Sequence, residues 1–419
     1  MKTISLKKFY QVVFFLCIAV PFLNVYELTF GVWFFAVLIS FVNKYSLTII
    51  QYLSCFLTIL IIAFVSSFFN DEGNYNFFRD LAYLLKPIIG LLLGYQLMKK
   101  FPKSFFSTVV YSGVLIAIGH LIIVFITFLR FQTISVNLLR EYCGYFSDYE
   151  VYALIILMFH KKFEANITKK YYVLGISILS LSIFLYLSRT NFIQFIILYL
   201  AMKGFFIINK RALMVMGTTT VLLVASYIAI YNSNPSRSGK GIEAFLYKVK
   251  NAPIEAFKTK VNTDDWRDFN DNYRSFENII TVRQVSNGGI TDILFGKGLG
   301  ATINIGREIR TNDGTYVQYI PILHNGFATV FLKSGLVGVI ILIITLWMLA
   351  RNKRSSIPIV QNINLLLVGT SLFLIVSNWV FMGLYLKMDS KSILIGLLIC
   401  YREILIKKTI QQENAYNEL

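Results

Sequence analysis

The chain has 419 residues, of which 56% are hydrophobic, 16% aromatic and only 15% charged, whereas a soluble domain carries about a quarter charged residues. With a mean hydropathy of +0.63, it holds more apolar material than a soluble core can accommodate, which excludes an ordinary soluble fold. The formal net charge of +18 and the pI near 9.6 do not indicate nucleic-acid binding, because Lys and Arg punctuate the ends of apolar runs and do not gather on one polar domain, a placement that reports membrane topology.

Runs of about 18 residues or more, enough for a helix to cross roughly 30 Å of hydrocarbon, recur from the N-terminus onward. They are continuous and do not alternate apolar with polar, which predicts helices and not barrel strands. The first run follows Lys2, Lys7 and Lys8 as a signal peptide would, but no small-residue cleavage site follows it, so it is expected to stay as the first helix. Spans are predicted near residues 9–25, 28–43, 46–68, 81–98, 104–129, 148–160, 171–188, 190–208, 212–231, 325–350, 358–382 and 391–406. The sixth has the shortest apolar part, and its start is expected to fall within 142–149.

Charge tests this threading independently. With the N-terminus in the cytoplasm, alternate turns carry Lys44; Lys99, Lys100 and Lys103; Lys161, Lys162, Lys169 and Lys170; Lys203, Lys210 and Arg211; Arg351, Lys353 and Arg354; and Arg402, Lys407 and Lys408, all on the inside. The opposite turns are mixed in sign: Glu27; Asp71, Glu72, Arg79 and Asp80; Arg130 to Asp148; Arg189; and Lys387, Asp389 and Lys391. Twelve spans satisfy the positive-inside rule, and eleven or thirteen break it. The expected architecture is therefore an all-α polytopic membrane protein with both termini cytoplasmic. Residues 1–231 form helices one to nine, 232–320 a large extracytoplasmic loop, and 321–419 the last three helices with a cytoplasmic tail.

Within the loop, 232–240 is rich in Asn, Ser, Pro and Gly, as a turn segment is. Residues 242–257 and 274–285 have apolar side chains three and four apart, which predicts a small helical cap on the membrane surface. There is no internal repeat, which weighs against transporters built from repeated halves.

Few residues are suited to chemistry. Cys17, Cys55, Cys143 and Cys400 have neither disulfide nor zinc spacing. His120 lies inside a span, where a polar interhelical contact is expected, and His160 sits beside Lys161 and Lys162 at a predicted cytoplasmic edge. His324 stands where the loop re-enters the membrane, between Pro321, which suits a helix start, and Gly335 and Gly338, which permit close approach of a neighbouring helix. An imidazole there can take a proton from a hydroxyl near neutral pH.

His324-Asn325, followed by Gly335-x-x-Gly338, resembles the signature of the bacterial O-antigen polymerases and O-antigen ligases. The segment Ile293-Leu294-Phe295-Gly296-Lys297-Gly298-Leu299-Gly300 is similar to the Gly-containing segment preceding that family's His. Ser188-Arg189-Thr190, at a predicted outer helix end, is similar to its Ser-Arg element. The resemblance covers the second half of the chain. It implies a helical GT-C-like fold in the bacterial cytoplasmic membrane, and a glycosyltransferase that polymerises undecaprenyl-diphosphate-linked oligosaccharides without a cofactor. It also implies a chain-length regulator and a flippase as partners. His324 and Asn325 would be catalytic, while Ser188, Gly296, Gly298, Gly335 and Gly338 would be structural.

For such a donor, guanidinium groups are suited to the diphosphate, and Arg189 is the first candidate, with Arg274 and Arg283 in the loop behind it. The glycines do not form a dinucleotide fingerprint, since no βαβ unit surrounds them; a tight turn leading back to the membrane is expected. Asp264, Asp265 and Asp268 lie in a loop of both signs and do not form a paired acidic metal site. Tyr142, Tyr145, Tyr149, Trp266 and Tyr273 are available to stack on sugars or to form an interfacial belt. The alternatives are a ligase that uses lipid A-core as acceptor, a flippase or exporter of lipid-linked sugars, and a structural membrane subunit.

Overall fold

A chain this apolar satisfies its backbone polar groups within each segment, and helices do that residue by residue. A computed structural model of the protein describes residues 5–70, 73–102, 105–132, 139, 142–143, 148–206, 210–237, 242–310, 316–351, 354–387 and 389–417. The helices are α1 (Leu6–Ala19, extended by a 3₁₀ turn, Val20–Leu23), α2 (Tyr26–Ile39), α3 (Leu47–Ser66), α4 (Asn74–Lys100), α5 (Phe105–Phe131), α6 (Asp148–Met158), α7 (Lys169–Leu185), α8 (Arg189–Met202) and α9 (Lys210–Asn232). The polar segment holds α10 (Ile242–Phe257), α11 (Trp266–Asp271), α12 (Tyr273–Asn287) and α13 (Ile290–Phe295), then strands β1 (Ile303–Arg310) and β2 (Tyr316–Ile320). The chain closes with α14 (Gly326–Ala350), α15 (Pro358–Val380) and α16 (Lys391–Asn417). Lys2, Asp71, Glu72, Lys103, Tyr145 and Lys353 lie outside the described residues.

The chain is mostly helical, and among the described residues six helices are long and apolar enough to cross a membrane: Leu6–Leu23, Leu47–Phe69, Asn74–Lys100, Phe105–Phe131, Gly326–Ala350 and Pro358–Val380. Their outer faces are apolar and uncovered, as Ile50, Leu57 and Ile61 on α3, Ile122, Phe125 and Ile126 on α5, and Ile340, Ile343 and Trp347 on α14 all show. The other predicted spans fall on shorter or more polar helices. α2 and α8 have 14 residues each and α6 has 11, so at 1.5 Å per residue none covers the roughly 30 Å of hydrocarbon by itself. Within α9, Thr220–Asn232 is an apolar stretch of under 18 residues, and α16 runs past residue 406 into a polar tail.

One expectation about the polar segment needs correction. It is not purely helical, because β1 and β2 pair antiparallel, Ile303 opposite Ile320 and Arg310 opposite Tyr316, with an irregularity in between. It also has its own apolar core of Phe269, Phe276, Val285, Ile303, Ile305, Ile320 and Leu323, joined by Leu332 from the head of α14. The two strands form because alternate side chains of β1, Ile303 and Ile305, have that core to enter.

Several charges assigned to outer turns are also buried within the protein. Arg79 and Asp80 belong to α4, and Asp80 is buried against Lys333 Nζ at 2.5 Å. Asp148, Asp389 and Lys391 are buried too, with Lys391 Nζ bonded to Asp148 and 2.5 Å from Asp389. Lys86 donates to the carbonyls of Leu386 at 2.5 Å and Lys387 at 2.6 Å. Each charge has an opposite charge or carbonyls to replace water, which is the condition for burying it.

Candidate functional site

The head of α14 is built by its cap. Asn325 is extended, and its Oδ1 accepts from the N–H groups of Phe327 at 2.9 Å and Ala328 at 3.2 Å, taking up donors that the first helical turn leaves free. The helix therefore starts at Gly326 and not at Pro321, which stands in the bend after β2. Gly326 donates to the Phe381 carbonyl at 3.2 Å, binding this turn to the segment after α15. Leu323 is buried in the core of the polar segment, and the next side chain, His324, points out of it. Asn325 Oδ1 is thus engaged as a helix cap, and the carboxylate that faces His324 comes from another residue.

That residue is Glu277. Phe276 inserts into the polar segment's core, and Glu277 beside it is 1% exposed while the His324 side chain is 49% exposed. The Glu277 carboxylate accepts the His324 backbone N–H at 3.2 Å and faces Nδ1 at 3.0 and 3.1 Å. Burial, reinforced by this carboxylate, holds the Tyr273 hydroxyl well above its ordinary pKa. The Tyr273 ring meets the imidazole edge-on, with centroids 5.9 Å apart. A carboxylate can only accept, so Nδ1 carries a proton, and in the neutral imidazole Nε2 keeps its lone pair. A buried acid that orients an outward imidazole is an arrangement suited to general-base chemistry.

The three arginines are placed differently. Arg274 adjoins Tyr273 and lies with its guanidinium carbon 5.3 Å above the ring of Phe381, whose carbonyl holds Gly326, so it belongs to the same corner as His324. Arg283 is exposed on α12, six residues beyond Glu277, and faces about 120° away around the helix. Arg189 is half-buried in the first turn of α8, behind Ser188, whose hydroxyl is 2.7 Å from that of Thr190. Gln194, one turn further along α8, donates to the Asp148 carbonyl at 3.0 Å, so the head of α8 stands by the buried Asp148–Lys391 pair.

The glycine segment is an anchor. Gly296, Gly298 and Gly300 have φ of +75°, +87° and +88°, which side chains disfavour. The turn they form sends the N–H of Lys297 to the Leu332 carbonyl at 2.8 Å, of Gly298 to Lys333 at 3.1 Å, of Leu299 to Ala63 at 3.1 Å and of Gly300 to Asp80 Oδ2 at 2.8 Å. The α14 carbonyls are available because the helix is broken at Gly335, with φ +64° and ψ −165°. Gly335 abuts the backbone of Leu294 and Phe295, whereas Gly338 lies against Ser334 and Val330 of its own helix. The expected close approach of a neighbouring helix thus occurs at Gly335, where α14 is broken, and not at Gly338, which fits its own preceding turn.

Sequence reasoning passed over Glu277, Asp80 and Lys333. The legible signal was Lys333, a lone cation inside an apolar run, which requires a buried partner. Among the candidate aromatics, Tyr149 is buried and donates to the Val109 carbonyl at 3.2 Å, while Trp266 and Tyr142 are exposed. No family model and no curated protein matches this chain.

Proposed function

We propose that the protein is a membrane glycosyltransferase that joins undecaprenyl-diphosphate-linked oligosaccharide units into a surface polysaccharide. It is embedded in the bacterial cytoplasmic membrane with both termini inside, six of its helices being long and apolar enough to cross alone, and residues 232–320 lie on the outer side. The observation that carries this reading is the buried Glu277 carboxylate bonded to Nδ1 of an outward-facing His324. In the reaction, His324 Nε2 takes the proton of an acceptor sugar hydroxyl as its oxygen attacks the anomeric carbon of the donor. The bond from that carbon to the diphosphate oxygen breaks, and the electron pair leaves with undecaprenyl diphosphate. Arg274, in the same corner, and Arg189 supply guanidinium groups to that leaving charge.

The test is to incubate purified protein in nanodiscs with a synthetic undecaprenyl-diphosphate oligosaccharide, without metal or nucleotide, and to analyse products by gel and mass. A ladder that disappears in His324→Ala and Arg189→Ala supports polymerisation. Transfer only after lipid A-core is added replaces polymerase by ligase. Silence from well-folded protein in both reactions refutes glycosyl transfer and leaves the flippase or exporter reading.

A further inference from the structure

Where α6 and α8 end and α7 begins, on the side that the charge pattern assigns to the cytoplasm, a 3₁₀ turn, His160–Phe163, leads out of α6. Two pairs of rings tie this corner together: His160 meets Tyr172 of α7 with centroids 4.9 Å apart, and Phe159 meets Tyr199 of α8 at 5.7 Å. Two ammonium groups lie over the second pair. Lys162 Nζ is 5.1 Å from the centre of the Phe159 ring and donates to the Met202 carbonyl at 2.7 Å, while Asn362 of α15 donates to the Lys162 carbonyl at 2.8 Å and fixes its backbone. Lys203 Nζ is 5.8 Å from the same Phe159 ring and 5.5 Å from that of Tyr199.

Two like charges that share one ring repel each other, and the corner supplies little to offset them. Burial, and after it the Lys203 charge, hold the Lys162 ammonium below its ordinary pKa. Among the described residues neither lysine forms an ion pair, and Glu164, exposed in the same turn, reaches neither. The first turn of α7 adds Lys169 and Lys170, both exposed, at a helix head with no acidic residue and no side-chain cap. A helix head carries partial positive charge and favours anions, so lysines there are the opposite of what the helix by itself selects. Solvated lysines of an inner loop need no fixed place, whereas rings and a carbonyl hold Lys162 and Lys203 side by side. From these lysines α7 continues with Tyr171, Val173 and Leu174 facing outward. Positive charge and an uncovered apolar face are therefore continuous, which suits an amphiphile and not a free anion.

We propose that this corner binds the phosphate headgroup of an anionic phospholipid of the inner leaflet, with the acyl chains lying along α7, independently of the glycosyl-transfer reading. Lys162 and Lys203 take the phosphate between them, and Lys169 and Lys170 approach it from the head of α7. Basic pockets between membrane helices on the cytoplasmic side recognise lipid headgroups by this chemistry.

The test is native mass spectrometry of the full-length protein released from detergent micelles and titrated with dioleoylphosphatidylglycerol or dioleoylphosphatidylcholine. Wild type should bind phosphatidylglycerol at least about tenfold more tightly than phosphatidylcholine. Lys162→Gln combined with Lys203→Gln should abolish the preference, and Lys203→Gln alone, at an exposed position, should reduce it about threefold or more even if the Lys162 variant fails to fold. Lys203→Arg should keep it, as should Lys407→Gln with Lys408→Gln, exposed lysines toward the end of α16. Equal affinity of wild type for the two lipids, an unchanged preference in folded Lys203→Gln, or an equal loss in the Lys407 and Lys408 variant would overturn the proposal. Displacement of phosphatidylglycerol by inorganic phosphate at constant ionic strength would also overturn it, by assigning the corner to a free anion.

Discussion

Replacing Glu277 by Gln keeps the size and shape of the side chain and changes one acceptor into a donor. In the wild type both carboxylate oxygens lie within 3.1 Å of His324 Nδ1, and one also takes the His324 backbone N–H. An amide NH₂ in that position opposes an Nδ1 proton, so the imidazole moves its proton to Nε2, the atom that must be empty to act as a base. The loss should approach the whole contribution of a general base, about 10²- to 10⁴-fold, equal to roughly 3–5 kcal/mol of barrier. The cost to folding is smaller, about 1–3 kcal/mol for a buried donor left unpaired. Initial rates of lipid-linked oligosaccharide elongation, normalised to monodisperse protein, separate the two effects. Glu277→Asp keeps the charge but withdraws it by one methylene and should fall between Gln and wild type. If Glu277→Gln elongates at the wild-type rate, orientation by a buried carboxylate is the wrong account of His324.

The Asp80–Lys333 pair should behave as a coupled unit: Asp80→Ala or Lys333→Ala alone should cost about 3–5 kcal/mol by stranding a buried charge, while the apolar pair Asp80→Leu with Lys333→Met recovers most of it; thermal unfolding of the detergent-solubilised protein measures this, and additive losses would contradict the coupling. Gly335→Ala should lose about 1–3 kcal/mol, since it combines a left-handed φ with contact against the Leu294 backbone, whereas Gly119→Ala, with nothing within 4 Å of a new Cβ, should stay within about 0.5 kcal/mol in the same assay. In the polar segment, hydrogen bonds from Lys258 and the Asn262 N–H hold the Asp268 carboxyl below its usual 3.8. A depressed folded pKa stabilises above the unfolded value, and that contribution is lost as pH falls through the folded value. Amide protection around residues 262–272, corrected for the intrinsic pH dependence of exchange, should therefore fall on acidification from about pH 4 downward, and Asp268→Asn should flatten that dependence.

The membrane helices were legible where composition alone decides them. The expected spans 46–68, 104–129, 325–350 and 358–382 agree within a few residues with Leu47–Phe69, Phe105–Phe131, Gly326–Ala350 and Pro358–Val380, because length and lack of charge are local properties. α4 was read as starting at 81 and begins at Asn74, since Arg79 and Asp80 resemble a loop until Lys333, 253 residues later, neutralises Asp80. His324 was found because a short motif marks it. Glu277 was not, because a carboxylate in a polar segment looks solvated until the fold places the imidazole against it, 47 residues away. The strands were missed for a related reason: the alternation of Ile303 and Ile305 is short, and β2 supplies the pairing that makes it a strand.

The break at Gly335 divides α14 into two lengths that need not tilt together. The lower one, residues 336–350, covers roughly 22 Å and has Ile340, Ile343 and Trp347 facing outward, so it is the part that must follow the thickness of the surrounding bilayer. The upper one is clamped by the glycine turn and by Asp80. The turn that carries His324 and Asn325 is thus fastened through the segment above the break, by contacts that do not pass through the length below it.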